Sequence, residues 1–106
     1  MEYEVILSEI AKQDLFDIYY YIAVNDSFEK ADKLRKNLEQ KCVTLFKFPN
    51  RGSKIKEISS ERTDILQIIY SPYSIIYKIE HKRVIILSII DERRDLLAVL
   101  QDRFLN

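Results

Sequence analysis

The stretch SIIDERRD, residues 88–95, runs an apolar segment directly into Asp91, Glu92, Arg93, Arg94 and Asp95. Two adjacent guanidinium groups can form a fork for a carboxylate or a phosphate, above all beside a helix N-terminus. In the first turn of a helix they also oppose the helix dipole, so helix stability alone does not account for them. The competing reading pairs them with Asp91, Glu92 or Asp95 as solvated surface charges, each pair worth little. Arg62, Lys78, Lys82 and Arg83 are further basic side chains in or beside apolar, strand-like segments. Arg62, Lys78, Arg83, Arg93 and Arg94 are the candidates for contact with a target.

Few other residues carry chemistry. Cys42 is the only cysteine and His81 the only histidine, too little for an internal disulfide or a zinc site of the usual kind. Nothing implies a metal or another cofactor. Cys42 falls on an apolar helical stripe and is expected in the core, and His81 in a turn facing solvent. Tyr73 and Tyr77 alternate with their neighbours on the face of Ile75 and Ile79, so packing is their expected role. Tyr19, Tyr20 and Tyr21 stand about 100° apart around a helix and cannot all face one core, which makes them candidates for a partner interface.

The elements that must position these residues follow from periodicity. In 2–7, Tyr3, Val5 and Leu7 alternate with Glu2, Glu4 and Ile6, the pattern of a first strand. Ser8 is placed to cap a helix carrying Ala11, Leu15, Ile18 and Ile22 and ending near Asn25. Asp26 with Glu29 three positions on resembles a capping box for a second helix, striped by Ala31, Leu34, Leu38, Cys42 and Leu45. So short a connection predicts an antiparallel helical hairpin, which Pro49 and Gly52 then stop. Segments 65–70, 73–79 and 84–90 are rich in Ile, Val and Tyr and predict antiparallel strands, with KIKEI (54–58) as a further short one. The near-continuous apolar run of 84–90 predicts a strand covered on both faces in the middle of the sheet. Asp91 is the expected N-cap of a final helix with Leu96, Leu97, Leu100 and Phe104 on one side. The expectation is a single α+β domain over 1–106: strand, helical hairpin, three- to four-stranded antiparallel sheet, helix.

The totals agree with one globular core. Of 106 residues, 47% are hydrophobic and 32% charged, and Lys plus Arg number 17, as do Asp plus Glu. A net charge of zero gives no overall attraction to a polyanion, and the small cationic excess belongs to the second half of the chain. The N-terminal sequence has acids where a secretory signal would carry lysines, and no stretch approaches the length of a membrane span. A reducing, cytoplasmic setting with no membrane partner is expected.

With this order in place, four stretches resemble the RelE/ParE superfamily of bacterial type II toxins. They are VILSEIAKQDLFDIYYYIA (5–23), like the family's first strand running into a helix; LFKFPNRG (45–52), like its leucine and Pro-x-x-Gly after the second helix; YSIIYKI (73–79), like its Tyr-Arg-x-x-Tyr strand; and ILSIIDERRD (86–95), like its strand leading to His-x-x-Arg-Asp. The resemblance covers nearly the whole chain. It implies a cognate antitoxin as partner and one of two targets: messenger RNA cleaved on the ribosome, as in RelE-like members, or DNA gyrase, as in ParE-like members. Residues must choose, because the fold does not.

RNA cleavage without a metal needs groups that activate the ribose hydroxyl, stabilise a phosphorane and protonate the leaving oxygen. Ser74 stands where the resemblance would place an arginine, and Asp91 where it would place a histidine. Ala98 falls where some ribonuclease members carry a tyrosine, and Phe104 is the only aromatic of the tail. These departures favour a ParE-like gyrase poison acting by binding, with no confident catalytic residue. A RelE-like endoribonuclease or a non-toxic binding module are the alternatives.

Overall fold

The computed structural model describes residues 2–105. Strand β1 (Glu4–Leu7) leads into helices α1 (Glu9–Asn25) and α2 (Phe28–Val43). Strands β2 (Ser53–Lys54), β3 (Leu66–Tyr70), β4 (Tyr73–Glu80) and β5 (Arg83–Asp91) follow, and then α3 (Leu96–Leu100), which continues as a turn of π-helix over Gln101–Leu105. The five strands form one sheet in the order β1-β5-β4-β3-β2. β2 to β5 are antiparallel as expected, and β1 joins β5 in parallel, Glu4 opposite Arg83 and Leu7 opposite Ile86.

The two faces of the sheet bury separate cores. The helical hairpin packs Ala11, Leu15, Leu38 and Cys42 against Tyr73, Ile75, Tyr77, Val84, Ile86 and Ile89. The opposite face holds Ile76 and Ile90 against Ile55, Ile58, Ile65 and Leu100. A register shift between β4 and β5 takes Ile76 opposite Ser88 and Tyr77 opposite Ile86, which leaves Leu87 as the extra residue of a bulge. The bulge explains why β5 sends Val84 and Ile86 to the hairpin face before it and Ile89 after it. β5 is covered on both faces, as its apolar run predicts, but it lies next to the edge strand β1, and β4 occupies the centre.

Local chemistry corrects several expected boundaries. Ser8 caps α1 as expected, its Oγ accepting from Ala11 N–H at 3.1 Å, an interaction worth about 1 kcal/mol. The cap of α2 is Ser27 instead of Asp26, with Oγ accepting from Lys30 N–H at 3.1 Å. Asp26 closes α1 instead, its own N–H donating to the Ile22 carbonyl, and its carboxylate pairs with Lys30 at 3.3 Å. The stop at Pro49 comes late, since α2 ends at Val43 and gives way to a 3-10 turn over Thr44–Phe46. Only the start of KIKEI is a strand. Lys56–Ile58 is a 3-10 turn, because three-residue spacing puts Ile55 and Ile58 on one side of such a turn, and both are buried in the second core.

The final helix also starts later than expected. Asp95, not Asp91, caps α3, its Oδ1 accepting from Ala98 N–H at 3.2 Å. Asp91 still belongs to β5, paired with Tyr73. Leu96, Leu100 and Phe104 face the second core with Val99 and Leu105, whereas Leu97 remains 44% exposed; one residue on from Leu96 is a 100° turn away from that face.

Tyr77, fully buried, adds a polar function to packing. Its hydroxyl donates to the Pro49 carbonyl at 2.6 Å and accepts from Gly52 N–H at 3.0 Å, tying the loop to the sheet. Gly52 is required there, because a Cβ would collide with the Tyr77 hydroxyl and lie 2.7 Å from the Gln67 carbonyl oxygen. Cys42 is buried as expected, and burial pushes its thiol up to about 12. His81 sits exposed in the β4–β5 turn with φ 59, a left-handed conformation that histidine tolerates better than most residues.

Candidate functional site

The antiparallel pairing of β4 and β5 brings Tyr73 beside Asp91 at one end of the sheet. α1 crosses the same end, and the three elements enclose an open cavity of about 620 Å³ that includes Arg93, Arg94 and Arg103 in its wall. The two arginines of the sequence motif therefore meet here, but they differ in state. Asp91 chelates Arg93: Nε donates to Oδ1 at 3.0 Å, a terminal nitrogen to Oδ2 at 2.7 Å, and the Arg93 backbone N–H to Oδ1 at 2.9 Å. Those hydrogen bonds, with the charges of Arg93 and Arg94, hold the Asp91 carboxyl below its usual range. Among the described residues the guanidinium of Arg94 makes no hydrogen bond or ion pair.

Beneath the cavity lies an ion pair that sequence reasoning missed. Asp14, buried on α1, accepts from Arg103 through both carboxylate oxygens, at 2.7 and 3.1 Å, and from the Ile89 N–H at 3.0 Å. Arg103 also donates to Ser88 Oγ at 2.9 Å. The bulge in β5 and the π-turn of the C-terminal helix bring these groups together across 89 residues of chain, and no local pattern announces the pairing. The one available signal was the polar Asp14 beside Leu15 on the buried side of a helix.

The other candidate cations lie elsewhere. Arg62 forms a two-point pair with Asp64, both bonds 3.1 Å, and donates to the Phe104 carbonyl at 3.0 Å. The hydrogen bonds from Arg62 come first among the causes that hold the Asp64 carboxyl below its usual range. Lys78 pairs with Glu80 at 2.9 Å. Arg83 begins β5, eight residues from Asp91, a span of about 27 Å in a strand. The five do not make one basic patch.

Ser74, which stands in the expected arginine position, is fully buried and donates to Gln67 Oε1 at 2.6 Å. Tyr73 is only 5% exposed, and burial, then the Asp91 charge, raise its phenol above the usual range. Among the described residues no group of three or more His, Cys, Asp or Glu side chains could hold a metal ion, and no helix is long and apolar enough to cross a membrane.

Of the three tyrosines, Tyr20 and Tyr21 are 60% and 64% exposed, and Tyr19 is half-buried with the Arg35 guanidinium 5.6 Å from its ring centre. Phe16 and Tyr20 stack at 6.2 Å along the outer face of α1. On the side of α1 away from the arginine cavity, Leu7, Leu15, Phe16 and Tyr19 line a second, more apolar hollow of about 600 Å³ rimmed by Lys12, Arg35 and Glu39.

The family described as the ParE toxin of the type II toxin-antitoxin system, parDE, matches residues 5–96. The chain belongs to this family. Within the wider RelE/ParE superfamily it lies nearer the ParE branch. Among solved structures it is similar to a chain of the chromosomal ParDE toxin-antitoxin system from P. aeruginosa, with a TM-score of 0.73 and 23% identity over 85% of this chain and 96% of that one. It is also similar to a chain of the toxin-antitoxin complex RelBE2 from Mycobacterium tuberculosis, with a TM-score of 0.66 and 18% identity over 86% and 92%. At those identities the likeness is one of fold. The search of curated proteins gave no match. Membership of a ParE family implies a toxin with a cognate antitoxin as partner.

Proposed function

We propose that this ParE-family toxin arrests growth by binding and poisoning DNA gyrase, catalysing no reaction of its own, and that its antitoxin neutralises it by wrapping α1. The observation that carries the gyrase reading is the chelation of Arg93 by Asp91. A nuclease would need that guanidinium for the phosphorane, and here a carboxylate at the same place both occupies it and repels phosphate. The buried, neutral Ser74 restores no charge. The outer face of α1, with Phe16 stacked on Tyr20 and an apolar hollow beside it, supports an antitoxin segment that orders on binding.

Ribosome-dependent mRNA cleavage is the second reading, favoured by Arg94 and Tyr73 sharing one cavity. The arginine would stabilise charge and the phenol would protonate the leaving oxygen. A phenol with its pKa raised is a weaker proton donor, however, and no histidine stands in the cavity to replace it.

The decisive assay is supercoiling of relaxed plasmid by purified gyrase with and without the folded protein, with trapped cleaved DNA scored separately. Loss of supercoiling or accumulation of cleaved DNA is expected. Unchanged gyrase activity, together with cleavage of mRNA on translating ribosomes, would replace the gyrase reading by the second one.

A further inference from the structure

The ionic groups around the arginine cavity are not equivalent. Asp14 is closed by Arg103 and Asp91 by Arg93, each pair reaching 2.7 Å. Three polar groups of the wall are left with unused capacity. Arg94 makes no hydrogen bond or ion pair among the described residues. Asp17 accepts only from Gln13, through Oδ1 at 2.8 Å, which leaves Oδ2 open. The hydroxyl of Tyr73 has no hydrogen-bond partner among the described residues and is not sealed from the cavity, although the residue is 5% exposed.

The ring is buried but the hydroxyl opens onto the cavity, so its hydrogen bond is made to water or to a ligand there. An ordinary phenol is already a protonated donor at neutral pH, and burial shifts this one further upward. Tyr73 and Arg94 together therefore ask for an anionic acceptor, while Asp17 asks for a donor. Ile18, Ile89 and the ring of Tyr21 form the apolar part of the wall.

A phosphate meets half of this demand. It brings one to two negative charges and mostly acceptors, next to Asp17 and Asp91. A peptide bearing an acidic side chain meets all of it, with a carboxylate for Arg94 and Tyr73, backbone N–H groups for Asp17, and apolar neighbours for the isoleucines.

We propose that this cavity receives a glutamate or aspartate side chain from an extended segment of a protein partner, with Arg94 and Tyr73 holding the carboxylate and Asp17 facing the segment's backbone N–H. The inference rests on the antitoxin reading for the source of the segment: a chain crossing the Phe16–Tyr20 ridge from the apolar hollow would reach this cavity on the other side of α1. It is independent of gyrase.

The test is a titration of the isotope-labelled full chain followed by amide and arginine side-chain NMR signals. The probes are the capped tripeptide acetyl-Leu-Glu-Leu-amide, its glutamine counterpart, and inorganic phosphate. The glutamate peptide should shift the signals of Ile89, Arg93 and Arg94 and bind roughly fivefold or more tightly than the glutamine peptide. Tyr73→Phe and Arg94→Gln should each weaken the glutamate peptide by a similar factor with the rest of the spectrum intact. Arg94→Gln alters only an exposed side chain, so it carries the test even if Tyr73→Phe perturbs the core. Absence of shifts at these positions, equal binding of the two peptides, tighter binding of phosphate, or indifference of folded Arg94→Gln would each overturn the proposal. Gyrase inhibition, measured without peptide, fails or succeeds separately.

Discussion

Replacing Asp14 by alanine should be the most damaging single change to a polar residue in this protein. The carboxylate receives three hydrogen bonds, two from Arg103 at 2.7 and 3.1 Å and one from the Ile89 N–H at 3.0 Å. Orphaning a buried backbone N–H costs about 1–3 kcal/mol. Arg103 loses its partner but is a quarter exposed, so water recovers part of its hydration and the penalty falls below the 3–5 kcal/mol typical of a broken buried pair, to about 2 kcal/mol. Together these give a loss of about 3–5 kcal/mol, a large share of a typical domain stability of about 5–15 kcal/mol. The corresponding drop in Tm is on the order of 15 °C. Arg103→Met should cost about 2 kcal/mol, because the carboxylate retains the Ile89 N–H. The double variant, with no charge left unpaired, should cost no more than Asp14→Ala alone, a coupling of about 2 kcal/mol. Urea unfolding followed by circular dichroism at pH 7 measures all three. If the double variant costs the sum of the singles, the two side chains do not act as a pair and the reasoning fails.

Tyr77→Phe should cost about 2 kcal/mol in the same unfolding assay, because it strands the Pro49 carbonyl and the Gly52 N–H. Gly52→Ala should lower stability by about 1–3 kcal/mol through overpacking against Tyr77 and the Gln67 carbonyl. The carboxyls of Asp91 and Asp64 are held below their ordinary pKa in the fold, so their stabilisation is present above about pH 4 and is lost as pH falls through the depressed folded values. Acid titration of wild type and Asp91→Asn should show the variant losing less stability below pH 4. The phenols of Tyr73 and Tyr77 are shifted upward by burial; the fold retains their protons, and stability should decline as pH rises above about 10. Absorbance of ionised tyrosine followed alongside unfolding would check the order of the two events.

Periodicity made most of the architecture legible. Ile, Val and Tyr at alternate positions marked β3, β4 and β5, and Ala11, Leu15, Leu38 and Cys42 marked the buried stripes of the hairpin. Two kinds of feature stayed hidden. Caps at closely spaced boundaries were ambiguous, because Asp26 beside Ser27 and Asp91 before Asp95 offer equivalent oxygens, and only the folded backbone decides where each helix begins. Long-range polar pairs were invisible: Asp14 and Arg103 lie 89 residues apart, and the bulge that presents Ser88 to them leaves no trace in an apolar run. The departures at Ser74 and Asp91 were legible as substitutions, but their consequences, a hydroxyl spent on Gln67 and a carboxylate spent on Arg93, needed the geometry.

Adjacent arginines with opposite states separate fold from function at this site. Asp91 holds Arg93 by three hydrogen bonds, and the Glu92 N–H donates to the Pro72 carbonyl at 2.8 Å while Arg94 N–H donates to the Asp91 carbonyl at 3.1 Å. The loop after β5 is thus fixed by Asp91 and the neighbouring turn, with Arg93 as a structural partner. Arg94 contributes its backbone to that loop and leaves its guanidinium to the cavity. Arg94→Ala should therefore change stability by less than about 0.5 kcal/mol yet weaken capture of an acidic peptide, and growth arrest as well if gyrase uses the same charge. Arg93→Ala should loosen the loop and raise the Asp91 pKa toward its ordinary range, an effect readable by carboxyl NMR titration. If Arg94→Ala destabilised the fold while Arg93→Ala did not, the roles assigned to the two residues would be reversed.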